Sequence, residues 1–364
     1  MSELPPETVS LYSLATWTNG LAFRSIDFAD SGSPVVKLSE VKKGISGQTK
    51  FTDSEFDAKY RIRAGDMIFC WSGQPETSIG TYYWRGPDGW LNQHLFRVEP
   101  RSAAVINKYF YFLLNSLNPR FVEIARNKQT TGLGHVTKRD LQALRVRLPP
   151  LDKQRRIAGV LGALDDLAIA DATLACKLRG AAQCAYIAQV SGESESRILG
   201  DVLELRYGRS LPASARRPGS VTVFGSAGEV GVHDTALVAG PGVVVGRKGS
   251  VGTVHWASGD FFPIDTTFYV QSELPTLFVY FALRQVGLER MNSDSAVPGL
   301  NRSHALSRMI RVPTQDNLRK FEEQSTPLWE AADDLDAEAS QLRAARDKLL
   351  PLLMSGRVRV GEEM

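Results

Sequence analysis

The longest helical pattern in this sequence is LDKQRRIAGVLGALDDLAIADATLACKLRGAAQCAYIAQV, residues Leu151–Val190. It follows Pro149 and Pro150 and contains no proline, so no residue within it interrupts the helical hydrogen bonds. Apolar residues recur every seven positions in two rows, which is the pattern of a coiled-coil seam. One row is Val160, Leu167, Leu174 and Ala181, and the other is Ile157, Leu164, Leu178 and Ala185, with Asp171 as its polar member. The pattern predicts one long helix with a narrow apolar face.

A second seam lies further along the chain. Its rows are Leu328, Leu335, Leu342 and Leu349, and Ala332, Ala339 and Leu353, the latter interrupted by Arg346. The helical region begins at Thr314, but Thr326 followed by Pro327 is typical of an N-cap and a first helical position, which predicts that a fresh helix starts there. Pro351 and Gly356 mark its end. Two seams of similar length in one chain predict that the helices pair as a coiled coil.

The segments that precede the two helical patterns repeat one another. Residues 61–98 and 236–270 each contain an apolar strand, a glycine-rich loop, an aromatic strand, a turn and another strand. An amphipathic segment, a Gly-Leu loop and a short strand ending in proline follow in both halves. The repeat predicts an α+β fold built from a duplicated unit. The expected boundaries are 1–148 for the first globular domain, 149–190 for the first helix, 191–313 for the second domain and 314–364 for the second helix.

The segment Gly240–Trp256, GPGVVVGRKGSVGTVHW, is glycine-rich and carries the adjacent cations Arg247 and Lys248. A P-loop requires G-x-x-x-x-G-K-[ST] followed by a helix, because the helix N-terminus helps to hold the phosphates. Here the glycine spacing is short, Lys248 is followed by glycine, and the next residues predict a strand. We therefore expect a β-hairpin-like loop, with Lys248 aimed at the phosphate backbone of a nucleic acid and Arg247 at a phosphate or a base edge.

The sequence contains no recognisable catalytic constellation. A G-x-G-x-x-G after a suitable strand and a G-x-S-x-G elbow are both missing, and LNPRF at residues 117–121 has Arg120 where a methyltransferase motif has its second proline. Three cysteines without a CxxC, and five histidines without a close pair, favour neither a disulfide framework nor a zinc site. We expect a non-catalytic chain without a metal or a cofactor of its own.

Charge is spread unevenly along the 364 residues, although the net charge is only +3. Residues 1–150 hold 19 Lys and Arg against 14 Asp and Glu, whereas residues 314–364 hold 7 against 11. An excess of cations in the globular part favours a polyanionic partner, which would repel the acidic second helix. No apolar run reaches the ~20 residues that span a bilayer, and the first residues do not resemble a secretory signal. We therefore expect a cytoplasmic location.

Basic and amide side chains lie beside glycines and aromatics in the predicted loops, which is typical of nucleic-acid contact. Arginine can bind guanine and glutamine can bind adenine, while lysine and serine more often bind phosphate. Trp71, Trp84, Trp90 and Trp256 are expected to pack in the core. The candidates for DNA contact are Lys42, Lys43, Gln48, Lys50, Arg85, Gln93, Lys128, Gln129, Thr130, Lys138 and Arg139 in the first half, and Arg206, Arg209, Arg216, Arg217, Arg247, Lys248, Ser250 and Arg302 in the second.

Two motifs resemble the specificity (S) subunit of type I restriction–modification systems. They are RLPPLDKQRRIAGVLGALDD, residues 147–166, at the start of the first helix, and LLPLLMSGRVRV, residues 349–360, at the end of the second. ATWTNGLAF near the start and VVVGRKGSVGTVHW also resemble the target recognition domains of that family. One departure is RVPTQDNLRKF at the entry to the second helix, which keeps Pro313 but lacks the double proline and the Gln-Arg-x-Ile of the family.

The resemblance implies two target recognition domains, each reading half of a split site in double-stranded DNA. It also implies an antiparallel helix pair that acts as a spacer and docks two DNA methyltransferase (M) subunits, with a restriction and translocase (R) subunit as an optional further partner. S-adenosylmethionine, ATP and Mg would then belong to those partners. The seam residues expected at the helix and partner contacts are Ile157, Leu164, Leu167, Leu174, Leu178, Leu328, Leu335, Leu342 and Leu349.

Helix length is compatible with that arrangement. A helix of about 37 residues spans roughly 55 Å at 1.5 Å per residue, whereas half-sites one turn of DNA apart are separated by ~34–36 Å. Two other hypotheses remain open from the residues alone: a stand-alone DNA-modifying enzyme, and a coiled-coil scaffold that does not bind DNA.

Overall fold

The structure is a computed structural model that describes residues 8–101, 103, 105–129, 132–291 and 299–361. The chain divides into two compact units, one formed by Met1–Leu167 with Gln341–Met364 and the other by Ala168–Ser340. Among the described residues, no helix combines the length and the apolar character that crossing a membrane requires.

Among the described residues, the first unit contains a four-stranded antiparallel sheet, a four-stranded mixed sheet and two two-stranded sheets, with short helices around them. Its helices are α1 (Leu38–Lys43), α2 (Pro75–Ser78), α3 (Asn107–Ser116), α4 (Asn118–Arg126) and α5 (Lys138–Ala143), followed by the start of α6 (Leu151–Ser191). Its strands are β1 (Thr8–Ser10), β2 (Ala15–Asn19), β3 (Ser33–Val36), β4 (Phe51–Thr52), β5 (Arg61–Ile62), β6 (Met67–Cys70), β7 (Ser72–Gly73), β8 (Gly80–Tyr83), β9 (Gly89–Leu91), β10 (Leu95–Pro100), β11 (Gly134–His135) and β12 (Arg145–Arg147).

The second unit repeats this plan. Its helices are α7 (Thr276–Val286), α8 (Arg302–Leu306) and most of α9 (Gln315–Ser355). Its strands are β13 (Ser194–Ile198), β14 (Leu203–Tyr207), β15 (Val221–Gly225), β16 (Gly228–His233), β17 (Gly242–Gly246), β18 (Val254–Ala257), β19 (Phe261–Pro263), β20 (Thr267–Ser272) and β21 (Met309–Pro313).

The main sheets of the two units have the same strand order. It is β2-β10-β6-β8 in the first and β14-β20-β17-β18 in the second. In each unit, the first strand pairs antiparallel with the strand that leads to the long helix, β1 with β12 and β13 with β21. The duplicated plan and the α+β class predicted from the sequence are confirmed.

Each central strand is buried on both faces, which explains its continuous apolar sequence. Met67 and Phe69 of β6 join the core beneath α3 and α4, while Ile68 and Cys70 join a smaller cluster on the opposite face. The valines of β17 alternate in the same way. Because successive side chains of a strand point to opposite faces, such a strand needs cover on both sides.

The long helices run antiparallel where they meet. In the second unit, Arg179 of α6 pairs with Asp333 of α9 at 2.6 Å, and Tyr186, further along α6, lies against Phe321, earlier in α9. In the first unit, Asp165 of α6 pairs with Arg346 of α9 at 2.5 Å. The antiparallel pairing that the family resemblance implied is confirmed in the second unit, where two contacts fix the direction of the helices.

The predicted fresh helix at Thr326 is wrong, because α9 is continuous from Gln315. The N-cap is Thr314, whose hydroxyl accepts a hydrogen bond from the Asn317 amide at 3.4 Å. Pro327 cannot donate to the carbonyl four residues earlier and therefore weakens the helix locally. Phe321 and Trp329, on either side of Pro327, are both buried on the same side of the helix. Their packing compensates for the missing hydrogen bond and keeps the helix continuous.

The predicted seam row of Val160, Leu167, Leu174 and Ala181 is also wrong as an intramolecular contact. These residues are exposed, and Leu167 and Leu174 each expose 47% of their surface. The buried row lies one residue further on, at Leu161, Ala168, Ala175 and Ala182. Alanine is small and therefore allows close packing of the helix on this side. The large residues at heptad spacing lie on the neighbouring, exposed face, so a prediction based on large residues selected the wrong row. Ile157, Ala332, Ala339 and Leu353 are buried, and Leu164, Leu178, Leu328, Leu335, Leu342 and Leu349 are partly buried.

Candidate nucleic-acid interface

The loop between β17 and β18 is a tight turn whose backbone is hydrogen-bonded within its own domain. Gly249 adopts a left-handed φ of 82°, and a Cβ on Gly246 would lie 2.1 Å from the carbonyl oxygen of Ser250. The amides of Arg247 and Lys248 both donate to the Thr266 carbonyl, at 2.9 and 3.1 Å. The glycines therefore serve the turn itself, and the two amides that a phosphate cradle would use are already occupied.

Arg247 is tied to its own domain. Its Nε and Nη2 donate to the carbonyl oxygen of Asp265 at 3.1 and 2.6 Å, and its guanidinium lies 5.3 Å from the ring centroid of Tyr207. Arg302 lies 6.0 Å from the same ring. Tyr207 exposes 54% of its surface at the end of β14. The structure thus brings two predicted arginines together around an exposed tyrosine.

Sequence reasoning missed Tyr207. The sequence Arg206-Tyr207-Gly208-Arg209 places this aromatic residue between two arginines, which could have identified it as a candidate. An aromatic ring among cations at a strand end can stack on a base or support an arginine. A Cβ on Gly208 would lie 2.2 Å from the Ile264 carbonyl oxygen, so this position requires glycine.

The corresponding edge of the first unit has different chemistry. Trp71 follows β6, as Arg247 follows β17, and its Nε1 donates to Asn19 Oδ1 at 3.0 Å. The ring lies 6.0 Å from His94 and 5.7 Å from Phe96. Trp71 is partly buried and Trp84 is fully buried, in line with the expected core role of the tryptophans. The frame is shared, whereas the side chains presented at this edge differ.

Several predicted contacts of the first unit already have partners. Lys128 pairs with Asp140 at 2.5 Å, Lys42 donates to the Thr77 carbonyl, and Lys138 lies over Tyr12. Burial raises the pKa of Asp140, but hydrogen bonds from Lys128 and Thr137 outweigh it and leave that pKa below its usual range. Gln129 donates to Gly132, and Gln93 accepts from Asn92. Lys43, Gln48, Lys50, Arg85 and Arg139 are exposed, and Thr130 lies outside the described residues.

The second unit also uses some of its predicted cations internally. Arg216 donates to the Val230 carbonyl at 2.6 Å, and Arg217 pairs with Asp234 at 2.7 Å. The hydrogen bond from Arg217 lowers the pKa of Asp234. Arg206 pairs with Glu204 at 3.1 Å. Arg209 and Lys248 are exposed, and Ser250 is partly buried, with its carbonyl accepting from Thr253.

Of the three cysteines, Cys70 is buried, whereas Cys176 and Cys184 are exposed. Burial raises the pKa of the Cys70 thiol to about 12, which opposes thiolate formation. Across the described ranges, no group of three or more His, Cys, Asp or Glu side chains is placed to hold a metal ion.

Comparison with known proteins gives consistent similarities. Residues 5–174 match the family model for the type I restriction modification DNA specificity domain. The chain is 29% identical over 170 residues to the type I restriction enzyme EcoBI specificity subunit of Escherichia coli, a match that covers 46% of this chain and 33% of that protein. It is 24% identical over 135 residues to the MjaVIII specificity subunit of Methanocaldococcus jannaschii, covering 37% of this chain and 29% of that one.

A solved structure shares the fold. The S subunit of the type I restriction–modification system from M. genitalium superimposes with a TM-score of 0.62 at 17% identity, covering 100% of this chain and 98% of that chain. The matched segments span about a third of the length of the curated relatives.

Proposed function

We propose that the chain is a specificity subunit of a type I restriction–modification system and that it recognises a split sequence in double-stranded DNA for such a complex. The observation that carries the proposal is the duplication. A unit whose sequence matches a DNA specificity domain is followed by a second unit with the same strand order. Two reading domains in one chain suit a bipartite site.

The two reading domains correspond to residues 1–148 and 191–313, and the helices to residues 149–190 and 314–364. Within the second domain, Tyr207, Arg247 and Arg302 form the centre of the DNA-facing surface, with Arg206, Arg209, Lys248 and Ser250 around it. Within the first, Lys43, Gln48, Lys50, Arg85 and Arg139 are the strongest candidates because their side chains are exposed. The weaker candidates, which already contact another residue of their own domain, are Lys42, Gln93, Lys128, Gln129, Lys138, Arg216 and Arg217.

The outer face of α6 is the docking surface for the methyltransferase subunits. Val160 and Leu167 are exposed in the first unit, and Leu174 in the second. Exposed leucines recurring along one helix face favour helical packing by a partner, since a solvent-facing helix normally carries polar residues there. Methylation and cleavage, with S-adenosylmethionine, ATP and Mg, belong to the M and R subunits, so this chain needs no cofactor.

Methylome sequencing tests the function directly. Cells with and without this chain are compared while expression of the partner subunits is kept constant. The expected result is the loss of methylation at one bipartite motif whose two halves are separated by a fixed number of base pairs. An unchanged methylome, in cells where the methyltransferase subunit is active, would contradict the proposal.

Two measurements separate the alternative functions. Methyl transfer by the purified chain with S-adenosylmethionine, without other subunits, would support a stand-alone enzyme. Binding of the assembled complex to duplex DNA should weaken steeply with salt because phosphate contacts release counterions. A scaffold that does not bind DNA would show no such dependence.

A further inference from the structure

One carboxylate in the second unit connects three elements. Asp333 of α9 accepts hydrogen bonds from Arg179 of α6 at 2.6 Å and from Trp256 of β18 at 3.2 Å. Arg179 also pairs with Asp336 at 2.5 Å. A strand of the main sheet and both long helices are therefore joined through a single side chain.

Aromatic rings enclose this contact. Trp329 of α9 lies 5.6 Å from Trp256 and 5.2 Å from Tyr280 of α7, measured between ring centroids. The Arg179 guanidinium lies 5.4 Å from the Trp329 ring. The Asp333 side chain is 21% exposed, and it lines a surface cavity together with Trp256, Tyr280 and Trp329.

The first unit contains a related contact with the helices exchanged. The carboxylate is Asp165 on α6 and the guanidinium is Arg346 on α9, 2.5 Å apart. Both carboxylates stand in the same local sequence, Asp-Asp-Leu, which begins at Asp165 and at Asp333. Each carboxylate is thus on the long helix that follows its own globular domain.

The aromatic positions also correspond. Tyr83 of β8 lies opposite Met67 in the main sheet, as Trp256 lies opposite Val243. Tyr83 stacks on Tyr111 of α3 at 4.5 Å, and Trp256 contacts Tyr280 at 5.8 Å. Burial raises the pKa of Tyr111, and the nearby Asp165 carboxylate raises it further. Lys108, at the start of α3, adds an ion pair to Asp166 at 2.7 Å.

Stability alone does not account for these pairs. The cost of removing two charges from water commonly cancels the attraction between them, so a partly buried ion pair adds little net free energy. What such a pair does supply is geometry, because a carboxylate with two donors from different elements is satisfied in only one arrangement.

We propose that Asp333 is a positioning residue that fixes the second reading domain on the long helices and thereby helps to set the half-site spacing that the protein accepts. This inference rests on the proposed function. It concerns how strictly the number of base pairs between the half-sites is enforced, and it leaves the choice of bases to the loops at the other end of the sheets.

The test uses the complex assembled with its methyltransferase subunits. Its DNA ligands are duplexes that carry both half-sites at the native separation, with one base pair removed, or with one added, and a duplex with one half-site scrambled. For Asp333→Ala, we expect preference for the native separation to fall about three- to tenfold, the size expected for the net contribution of one typical hydrogen bond. Preference for the intact over the scrambled half-site should remain.

Two further variants separate positioning from general stability. Trp256→Phe keeps a ring but removes the donor, so it should relax the spacing preference and, combined with Asp333→Asn, add less than the sum of the single effects. Asp316→Ala removes an exposed ion pair with Arg319 on the same helix and should change neither preference.

The outcomes are distinct. A lowered melting temperature with unchanged spacing preference in Asp333→Ala and Trp256→Phe would overturn the positioning role. If Asp333→Ala does not fold, an unchanged preference in Trp256→Phe alone would overturn it. Failure of the unmodified complex to distinguish the intact from the scrambled site would instead overturn the proposed function, and this inference with it.

Discussion

The guanidinium of Arg247 is used by its own domain, and this changes what its removal should do. The sequence placed Arg247 and Lys248 side by side and predicted that both face DNA. In the structure, Arg247 holds the Asp265 carbonyl and lies over Tyr207, whereas the Lys248 side chain is exposed. Adjacent cations in one loop therefore call for separate experiments.

Replacing Lys248 with alanine should weaken DNA binding by the complex to a similar degree for all sequences. A lysine on phosphate contributes about one unit to the slope of log affinity against log salt, so that slope should fall by about 1. Fluorescence anisotropy titrations at several salt concentrations measure both effects. Lys320→Ala, an exposed lysine on α9, is the matched control and should leave the slope unchanged. An unchanged slope for Lys248→Ala would place that lysine away from DNA.

Replacing Arg247 with lysine should act mainly on the loop. Lysine keeps the charge but cannot reproduce the paired donation to the Asp265 carbonyl or the stacking on Tyr207. We expect the free energy of unfolding to fall by about 1–2 kcal/mol, the size of one or two hydrogen bonds. Chemical denaturation measures this loss. A variant as stable as the parent chain that still binds DNA normally would show that these contacts are dispensable.

At the level of elements, the first long helix has two faces that the heptad pattern did not distinguish. Large residues at seven-residue spacing are exposed, while the adjacent row of leucine and alanines is buried. Close packing needs small side chains, and the large ones remain available to a partner. Neighbouring residues on α6 can therefore be assigned opposite roles.

Leu174 and Ala175 make a matched pair for testing those roles. Leu174→Ser changes a residue that is 47% exposed, so the stability of the chain should change by no more than about 0.5 kcal/mol. Ala175→Leu inserts volume at a fully buried site and should cost about 1–3 kcal/mol. Thermal denaturation of the chain measures both changes.

The same two variants test the docking surface. Leu174→Ser should reduce co-purification of the methyltransferase subunit although the chain remains folded. Retention of the methyltransferase at the parent level in Leu174→Ser would contradict the assignment of this face. A stable Ala175→Leu would contradict the close packing of the helices at that position.

Local sequence was sufficient for some features of the fold and insufficient for others. The repeated order of strands, loop and helix predicted the duplicated plan, because turn residues and apolar runs act locally. The continuity of α9 through Pro327 could not be predicted, since it depends on the packing of Phe321 and Trp329. Pairings such as Lys128 with Asp140 and Arg217 with Asp234 join residues distant in sequence, so the candidate contacts included cations that serve their own domain.

At the level of the whole molecule, the two units share one backbone arrangement but carry different side chains at the ends of their strands. The main sheets share strand order, and the carboxylates that meet the arginines of the long helices stand in the same local sequence. The residue that follows the third strand of the main sheet differs: it is Trp71 after β6 in the first unit and Arg247 after β17 in the second. If the two domains read different bases, their internal contacts should be similar and the residues at the ends of their strands should differ.

This division predicts the outcome of a domain exchange. If residues 1–148 are replaced by the corresponding domain of another specificity subunit, with β1 and β12 exchanged together so that their pairing is kept, only one half of the methylated site should change. The other half should remain because residues 191–313 carry their own sheet and loops, including the cluster around Tyr207. Methylome sequencing of cells that carry the chimera measures both halves in one experiment. A change in both halves would show that the bases are read jointly by the two domains, and the assignment of one half-site to each would then be wrong.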